Sequence, residues 1–296
     1  GKRSGDLMIN GGTGLVGLLG DPVRHSLSPA MQNAALQMMG INWCYVALPC
    51  ENGRLSVVLE GLQAVGCRGL NVTIPHKQAV SHLCEQLSPL AQRLGAVNTL
   101  IPLESGSWRG ANTDVEGFLA PLGNQERWQG RRAVVIGCGG SARAVVAGLQ
   151  SLGLRSITVI GRRADALQAF LSDLNTDADP LTACLDSDPD LISCLETSDL
   201  LINTTPVGMA KQGNADAMPL GQDIWRELQP QAVLYDLVYT PRPTTWLAWG
   251  KQQGHRCIDG LEMLVQQGAA SLRLWSGHTD VPVEAMRTAA ETALTT

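Results

Sequence analysis

The sequence predicts an α/β protein with two domains, each built around a mainly parallel sheet. Its 296 residues are enough for two hydrophobic cores. Short apolar runs alternate with segments of helical period, an order typical of parallel strands covered by helices. A helix and a polar loop over residues 114–130 interrupt this alternation, which starts again at Arg132. We therefore place the domain boundary in that interval.

The first half of the chain follows a β-α-β-α-β-α order. Strands are predicted for LVGLLG, WCYVALP and RGLNVT, and helices for residues 28–40, 55–66 and 77–87. Ser28-Pro29 is typical of an N-cap followed by proline at the first helical position. Two further strands, joined around Glu104–Ser107, complete this half. The polar, glycine-rich start of the chain receives no structural role.

The second half repeats the alternation. Strands are predicted for AVVIG and SITVIGRR and within DLLINTTPVGM and AVLYDLVYTP, and the first two are followed by helices that end near Leu152 and Leu174. The chain from Gly260 onward is predicted to be helical.

Composition excludes several classes of partner. The net charge of −5 argues against nucleic acid or an acidic membrane surface. No apolar run approaches the roughly 20 residues that span a bilayer. The eight cysteines are scattered, and neither they nor the five histidines have metal-ligand spacing. We expect a metal-free protein of the reducing cytoplasm, either a monomer or a homodimer.

A dinucleotide-binding loop is predicted at residues 137–142. Gly137-x-Gly139-x-x-Ala142 directly follows a strand and opens a helix. The first glycine suits a tight turn, the second lets the backbone approach a pyrophosphate, and the small third residue lets the helix pack closely on the strand. The pyrophosphate would lie at the positive N-terminus of that helix. A glycine-rich turn without a ligand is the alternative interpretation.

Two arginines indicate which dinucleotide binds. An NAD site usually carries an acidic residue about 20 residues past the glycines, where it bonds the ribose 2′-hydroxyl. Arg162 and Arg163 stand at that place, and Asp165 lies too far into the following helix. Guanidinium groups suit a 2′-phosphate. The sequence therefore favours NADP, with a pair of merely solvated arginines as the alternative.

Lys77 is the candidate for acid–base chemistry. It is one of only four lysines, against eighteen arginines, and it follows a predicted strand and the turn Thr-Ile-Pro. Lysine can exchange a proton where arginine cannot, and open α/β sheets bind ligands at the carboxyl ends of their strands. The positive end of a helix is an unfavourable place for a lysine without a function. A solvated surface lysine is the competing interpretation.

Asp114 is the expected partner of Lys77. A carboxylate there would orient the ammonium and assist proton transfer to a substrate hydroxyl. Thr113-x-x-Glu116 also has the pattern of a capping box, and the two roles are compatible. Ser26 and Ser28, near the start of the first helix, could face a substrate carboxylate beside the positive helix end.

Taken together, these residues resemble the shikimate dehydrogenase family over nearly the whole chain. The resemblance is carried by HSLSP, NVTIPHK, GAVNT, NTDVEGF, GCGGSARA, NTTPVGM and DLVYTP, in that order. It implies reversible, NADP-dependent reduction of 3-dehydroshikimate to shikimate, a step of aromatic amino-acid biosynthesis. It also implies a substrate domain of residues 1–112 completed by helices from residues 261–296, and a Rossmann-type NADP-binding domain of residues 113–260. A cleft would separate the domains, with hinges near residues 112–130 and 255–262.

The resemblance assigns roles to individual residues. The catalytic pair would be Lys77 and Asp114, and the substrate carboxylate would bind Ser26 and Ser28. The ring hydroxyls would be held by Thr73, Asn98, Asp114 and Gln267, and Tyr239 would help to close the substrate site. The phosphate loop would comprise Gly137, Gly139, Gly140, Ser141 and Ala142, and the nicotinamide side would be lined by Thr205, Val207, Met209 and Gly260.

The chain departs from the family pattern at the 2′-phosphate site. The family usually has Asn-Arg-Thr with a lysine three residues on, whereas this chain has Gly161-Arg162-Arg163 with Ala166 at the lysine's place. Arg163 is expected to replace the missing charge.

Two other functions would fit the same scaffold. An acidic residue in place of Arg162 would favour a quinate or dual quinate/shikimate dehydrogenase, which often uses NAD. A catalytically silent sensor of dinucleotide or shikimate could lose Lys77 or Asp114, and both are present.

Overall fold

The computed structural model describes residues 9–176, 181–210, 214–221 and 223–296, which form two compact units. The first unit extends to Gly117 and also takes in Leu264–Thr296, and the second is Phe118–Met263. The first boundary lies within the interval 114–130, and both boundaries fall three to five residues later than the bounds implied by the family resemblance, so Asp114 belongs to the first unit. The first eight residues, for which no helix or strand is predicted, lie outside the described ranges.

The helices and strands follow the predicted alternation. Up to residue 119 they are β1 (Gly14–Gly20), α1 (Ser28–Met39), β2 (Trp43–Pro49), α2 (Leu55–Ala64), β3 (Gly69–Val72), β4 (Gln86–Leu87), α3 (Pro89–Leu94), β5 (Thr99–Pro102), β6 (Trp108–Ala111) and α4 (Asp114–Leu119). Further along come β7 (Arg132–Ile136), α5 (Gly140–Gln150), β8 (Ser156–Gly161), α6 (Ala164–Leu174), β9 (Leu181–Leu185), α7 (Leu191–Glu196), β10 (Leu200–Asn203), β11 (Val233–Asp236), α8 (Thr245–Gln252), β12 (Arg256–Ile258), α9 (Leu261–Ser276) and α10 (Val283–Leu294).

The sheet of the first unit has the strand order β2-β1-β3-β5-β6-β4. β1 is parallel to β2 and β3, whereas β5 is antiparallel to both β3 and β6. Because Leu19 pairs with Val72 and Thr99 pairs with both Asn71 and Ala111, four chain segments meet at one edge of this sheet. These are the segments after β1, after β3, before β5 and after β6.

The sheet of the second unit has the order β12-β11-β10-β7-β8-β9, with every neighbouring pair parallel. Read from β9, this is the 3-2-1-4-5-6 order of the doubly wound dinucleotide-binding fold. The strand order reverses between β7 and β10, and ligands bind such sheets at the carboxyl edge beside that point. The predicted fold class is confirmed.

The C-terminal helices are anchored in the first unit by Trp275 of α9. Its indole Nε1 donates to the Leu100 carbonyl oxygen at 3.0 Å. The ring lies against Gly69 of β3, where any Cβ would collide with it. A glycine in this strand is therefore explained by the close approach of an aromatic ring. The contact ties α9 to the core cluster that contains Leu19, Leu70 and Leu100.

Some predicted elements differ from the structure. The helix expected for residues 77–87 is wrong, since this stretch holds a short 3-10 helix, Ala79–Leu83, and then β4. The argument that Lys77 opposes a helix dipole loses its basis with it. β9, α7, α8 and β12 were not predicted, because elements of three to eight residues are too short to display a clear period.

Candidate active site

Lys77 and Asp114 form a largely buried ion pair in the first unit. Lys77 Nζ lies 2.7 Å from Asp114 Oδ2, and the two side chains are 13% and 7% exposed. Lys77 sits in the turn after β3, where its carbonyl oxygen accepts a bond from Val97 N at 2.8 Å. Asp114 is the first residue of α4, and its N–H donates to Asn112 Oδ1 at 2.9 Å. The fold thus brings together the two residues that the sequence paired.

The side chain of Asn98 orients Asp114 from the other side. Asn98 Oδ1 accepts from Thr113 N at 2.8 Å and from Thr99 Oγ1 at 2.9 Å. Because a backbone N–H can only donate, the amide orientation is set, and Nδ2 must face Asp114 Oδ1 at 3.1 Å. The carboxylate of Asp114 is therefore held through both of its oxygens.

Thr113 is used differently from the sequence prediction. Its hydroxyl accepts from Asn98 Nδ2 at 2.8 Å and donates to the Gln267 carbonyl oxygen at 3.0 Å. The expected capping box with Glu116 is therefore wrong, and Asn112 caps α4 instead. The hydroxyl joins the sheet of the first unit to α9.

Gln267 and Ser271 lie one turn apart on α9 and complete this network. Gln267 Oε1 lies 3.3 Å from Asn98 Nδ2. Ser271 Oγ is fully buried and lies 3.0 Å from Asn71 Nδ2, 2.8 Å from Thr99 Oγ1 and 3.1 Å from Thr113 Oγ1. A role for Ser271 cannot be predicted from the sequence, because an isolated serine in an amphipathic helix belongs to no recognisable motif.

Replacing Ser271 by alanine should lower the free energy of unfolding by about 1–3 kcal/mol, the cost of leaving buried polar groups without a partner. Denaturant unfolding of the variant and the wild type measures the difference. Ser276→Ala is the matched control, because Ser276 also bonds a carbonyl oxygen of α9, at 2.7 Å from Leu272 O, but lies outside the network. An equal loss of stability in both variants would contradict the prediction.

Ser26, Ser28 and Thr73 lie at the same edge of the sheet. The helix N-cap is Leu27 rather than Ser28, and the Ser28 N–H donates to Ser26 Oγ at 3.1 Å. Burial raises the pKa of the neighbouring Tyr45 phenol, an effect that Ser28 partly offsets. Thr73 follows β3, and its methyl group occupies space that a Cβ at Gly20 would fill.

A hydrogen-bonded path connects Tyr45 of β2 with α9. The Tyr45 hydroxyl donates to Asn71 Oδ1 at 2.8 Å, and Asn71 Nδ2 donates to Ser271 Oγ at 3.0 Å. Tyr45 and Asn71 thus extend the buried network of Ser271 across the sheet to β2.

The phosphate loop of the second unit has the shape that a pyrophosphate requires. Gly137 has φ +107°, and a Cβ there would lie 2.5 Å from Thr204 Oγ1. At Gly139, just before α5, an added Cβ would meet nothing within 4 Å, so the backbone borders open space. Ala142 is fully buried in α5. Gly140 and Ser141 form the first turn of this helix, and the residues present fit a bound dinucleotide.

Arg162 and Arg163 stand exposed between β8 and α6. Arg163 has extended backbone geometry immediately before the helix. Asp165 is also exposed, and its Oδ1 accepts from the Ala166 N–H at 2.9 Å. Within the described ranges neither arginine forms an ion pair with an acidic residue. A 2′-phosphate at this strand end would meet two guanidinium groups.

The loops after β10, β11 and β12 hold the remaining predicted residues of the second unit. Thr205, Val207 and Met209 follow β10, where Met209 N donates to the Pro206 carbonyl oxygen at 3.0 Å. Gly260 packs so closely on the carbonyl of Leu237 that no other residue fits. Tyr239 is partly buried, and burial raises the pKa of its phenol. Because Tyr239 belongs to the second unit, its place over the substrate stays a prediction.

Asp236 ends β11 with a fully buried carboxyl group. Burial raises its pKa to about 6, partly offset by bonds from Val238 N, Thr244 and Asn203, while the charge of Asp259 raises it further. A carboxyl pKa above its unfolded value of 3.8 favours folding while the group is protonated. The stability it contributes is therefore complete below pH 3.8 and is lost as the pH rises through about 6.

We expect the wild-type free energy of unfolding to fall by about 2.4 kcal/mol relative to Asp236→Asn between pH 4 and pH 7. Asparagine keeps the size of the side chain and stays neutral throughout, so the difference between the two proteins isolates this one ionisation. Denaturant unfolding at half-unit pH steps measures it. A constant difference across this interval would contradict the assignment.

Within the described ranges the structure has no group of three or more His, Cys, Asp or Glu side chains arranged to hold a metal ion. None of the helices described there is long and apolar enough to cross a membrane. All eight cysteines are free thiols.

Comparison with known proteins gives the family. The profile of the shikimate dehydrogenase substrate binding domain matches residues 18–100, and that of the shikimate 5′-dehydrogenase C-terminal domain matches residues 260–291. The chain is 48% identical over 285 residues to shikimate dehydrogenase (NADP(+)) of Synechocystis sp., covering 95% of this chain and 96% of that protein. The chain belongs to the shikimate dehydrogenase family.

Solved structures of the family agree with this assignment. A shikimate dehydrogenase in complex with NADP⁺ superimposes with a TM-score of 0.85 at 34% identity, covering 98% of each chain. Shikimate 5-dehydrogenase from Thermus thermophilus, in complex with NADP(H) and shikimate, gives a TM-score of 0.81 at 34% identity, covering 95% of this chain and 100% of that one. The quinate and sensor alternatives are not favoured by these similarities.

Within the shikimate dehydrogenase family pattern, the structure brings four predicted residues into direct contact: Lys77, Asp114, Asn98 and Gln267. It adds Thr113, Ser271, Asn71 and Tyr45, for which sequence reasoning had no functional signal. The cleft and the hinges expected between the domains stay predictions.

Proposed function

We propose that the chain is an NADP-dependent shikimate dehydrogenase that interconverts 3-dehydroshikimate and shikimate. The observation that carries the proposal is the buried Lys77–Asp114 pair at the carboxyl edge of the substrate-domain sheet, in a chain of this family. The pair supplies a proton donor and acceptor beside the strand ends where open sheets bind ligands.

Lys77 would act as the general acid and base. In the direction of reduction, its Nζ gives a proton to the carbonyl oxygen of the substrate, and in the reverse direction the neutral amine takes the hydroxyl proton back. Asp114 orients Nζ through the 2.7 Å contact and balances the ammonium charge. When bound, NADPH supplies the hydride that reaches the carbonyl carbon. The protein's share is alignment and proton transfer.

The remaining residues of the first unit would position the substrate. Ser26 and Ser28 lie at the N-terminus of the 12-residue α1, where the partial positive charge of the helix favours a carboxylate. Thr73, Asn98 and Gln267 would hold ring hydroxyls. Because Asn98 also orients Asp114, it would couple hydroxyl recognition to the placement of the catalytic carboxylate.

In the second unit, the residues from Gly137 to Ala142 would hold the pyrophosphate, and Arg162 and Arg163 the 2′-phosphate. Thr205, Val207, Met209 and Gly260 would line the nicotinamide side, and Tyr239 would help to close the substrate site. We place the enzyme in the cytoplasm, as a monomer or homodimer without nucleic-acid or membrane partners. The free state of all eight cysteines supports a reducing compartment.

The test is turnover of purified protein with shikimate or quinate, each combined with NADP or NAD, followed at the absorbance band of reduced nicotinamide. Turnover with shikimate and NADP is the expected result. Turnover only with quinate, or only with NAD, would move the protein to the quinate dehydrogenase alternative. Binding of NADP without any turnover would favour the sensor.

Removing both arginines should change the cofactor preference. We expect Arg162→Ala/Arg163→Ala to raise the KM for NADP roughly 10- to 100-fold, the loss of one or two charge-assisted hydrogen bonds, and to leave the KM for NAD unchanged. Steady-state kinetics with both cofactors measures this. Arg155→Ala, an exposed arginine at the opposite end of β8, is the matched control. Equal changes with NADP and NAD would refute a role in 2′-phosphate binding.

A further inference from the structure

The carboxylate of Asp236 is fully buried at the carboxyl end of β11. It takes no part in the proton transfer proposed for Lys77. Its Oδ1 accepts from Asn203 Nδ2 at 3.0 Å and from Val238 N at 3.1 Å. Its Oδ2 accepts from Thr244 Oγ1 at 2.9 Å. Oδ1 therefore binds the end of β10 and the loop after β11, and Oδ2 binds Thr244, the N-cap of α8.

Asn203 continues the arrangement into the loop after β10. Its Oδ1 accepts from Thr205 N at 3.0 Å and from Thr205 Oγ1 at 2.7 Å. Its Nδ2 faces Asp236 and also lies 3.3 Å from the Thr205 carbonyl oxygen and 3.4 Å from that of Val207. Because the Thr205 N–H can only donate, the amide cannot turn over without losing its bonds on both sides.

These side-chain contacts hold the segment after β10, which has no backbone hydrogen bonds of a helix or strand to stabilise it in the described part of the chain. No helix or strand lies between Asn203 and Leu220 in the described part of the chain, and Gly208 has φ +90°. Asn203 and Asp236 are paired neighbours at the ends of adjacent parallel strands. Both are fully buried. An unsatisfied buried amide or carboxylate is costly, so each side chain holds the other in place.

We propose that Asp236 and Asn203 form a clamp that fixes the loops of residues 204–209 and 237–239 in the conformation that binds the nicotinamide half of NADP(H). Both are positioning residues, since they act through Thr205, Val207 and Val238 rather than through contact with the reacting atoms. The assignment of the nicotinamide to these loops rests on the proposed function.

The clamp predicts which end of the dinucleotide loses affinity when Asp236 or Asn203 is replaced. Weakening it should affect the ligand only where the two loops touch it, at the nicotinamide end. The pyrophosphate turn at Gly137 borders Thr204, and Thr204 is held independently of the clamp by its hydroxyl bond to the Ile136 carbonyl oxygen at 2.6 Å. Arg162 and Arg163 follow β8, away from both loops in sequence. The adenosine end of the site should therefore keep its affinity.

The experiment compares two ligands on five proteins. NADPH and adenosine 2′,5′-bisphosphate, which lacks the nicotinamide half, are each titrated while the fluorescence of the seven tryptophans is followed. The proteins are the wild type, Asp236→Ala, Asn203→Ser, Asp236→Asn and Thr244→Val. Asp236→Asn keeps an acceptor toward Asn203 and tests rescue. Thr244→Val removes a bond to the same carboxylate on the side away from the loops, and serves as the matched control.

We expect Asp236→Ala and Asn203→Ser to bind NADPH roughly tenfold more weakly, as the loss of about one hydrogen bond predicts, with unchanged affinity for the bisphosphate. Asp236→Asn and Thr244→Val should bind both ligands like the wild type. Unchanged NADPH affinity in Asp236→Ala and Asn203→Ser, or equal weakening of both ligands, would overturn the clamp. If Asp236→Ala does not fold, Asn203→Ser decides the question.

Failure of the proposed function would look different. A wild-type protein that binds neither NADPH nor the bisphosphate would contradict NADP dependence before any variant is compared. If the wild type, Asp236→Ala and Asn203→Ser all bind NADPH equally well and turn over substrate normally, only the clamp is contradicted.

Discussion

Replacing Lys77 by alanine is expected to lower kcat with shikimate and NADP by about 10²–10⁴-fold, the usual scale for a general acid–base residue. The physical reason is that the oxygen of the reacting group must gain or lose a proton as the hydride moves. Nζ is held 2.7 Å from Asp114 for that transfer. The affinity for NADPH should be unchanged, because every residue assigned to the cofactor lies in the second unit.

A second substitution separates charge from proton transfer. Lys77→Arg keeps a cation next to Asp114, but a guanidinium cannot act as an acid or base near neutral pH. It should therefore be as inactive as Lys77→Ala while retaining more stability. Lys251→Ala, an exposed lysine of α8, controls for the loss of a positive charge. Near-normal turnover by Lys77→Ala or Lys77→Arg would remove Lys77 from the mechanism.

Replacing Asp114 by alanine should lower the free energy of unfolding at neutral pH by up to about 3–5 kcal/mol, the scale for removing one member of a buried ion pair. Lys77 is only 13% exposed, so water cannot readily replace the lost carboxylate. Asn98 Nδ2 also loses an acceptor at 3.1 Å. Denaturant unfolding measures the loss, and kcat should fall in parallel because Nζ is no longer oriented.

An exposed ion pair provides the matched control. Arg226 and Asp223 lie 2.9 Å apart with side chains 73% and 89% exposed, so Asp223→Ala should cost less than about 1 kcal/mol. The double variant Lys77→Met/Asp114→Ala should recover part of the lost stability, since no buried charge remains, but none of the activity. A loss in Asp114→Ala no greater than in Asp223→Ala would show that the pair is effectively solvated.

The second unit was the easier part to predict from sequence because its signals are local. The turn at Gly137, the approach at Gly139 and the packing of Ala142 depend on residues within one strand–turn–helix segment. Arg162 and Arg163 can be located by counting from the glycines. The strand order of the sheet then agrees with the doubly wound fold that this segment predicts.

The buried network of the first unit was not predictable in the same way. Ser271 contacts Asn71, Thr99 and Thr113 across sequence separations of 200, 172 and 158 residues. No local pattern relates a serine of α9 to these residues. Thr113 was interpreted as a helix cap because its neighbours in sequence suggested one, whereas its partners in space are Asn98, Gln267 and Ser271.

The sequence alone determined the alternation of strands and helices, the dinucleotide loop, the arginine pair and the chemical candidates Lys77 and Asp114, since residue type and short spacing carry those signals. Only the tertiary structure decided that Asp114 is held through both carboxylate oxygens, that α9 supplies the hydroxyl of Ser271, and that Asp236 supports Asn203. The reason is physical: a buried polar group is satisfied by whichever partner the packed strands and helices bring within about 3 Å. That partner is selected by the fold rather than by proximity along the chain.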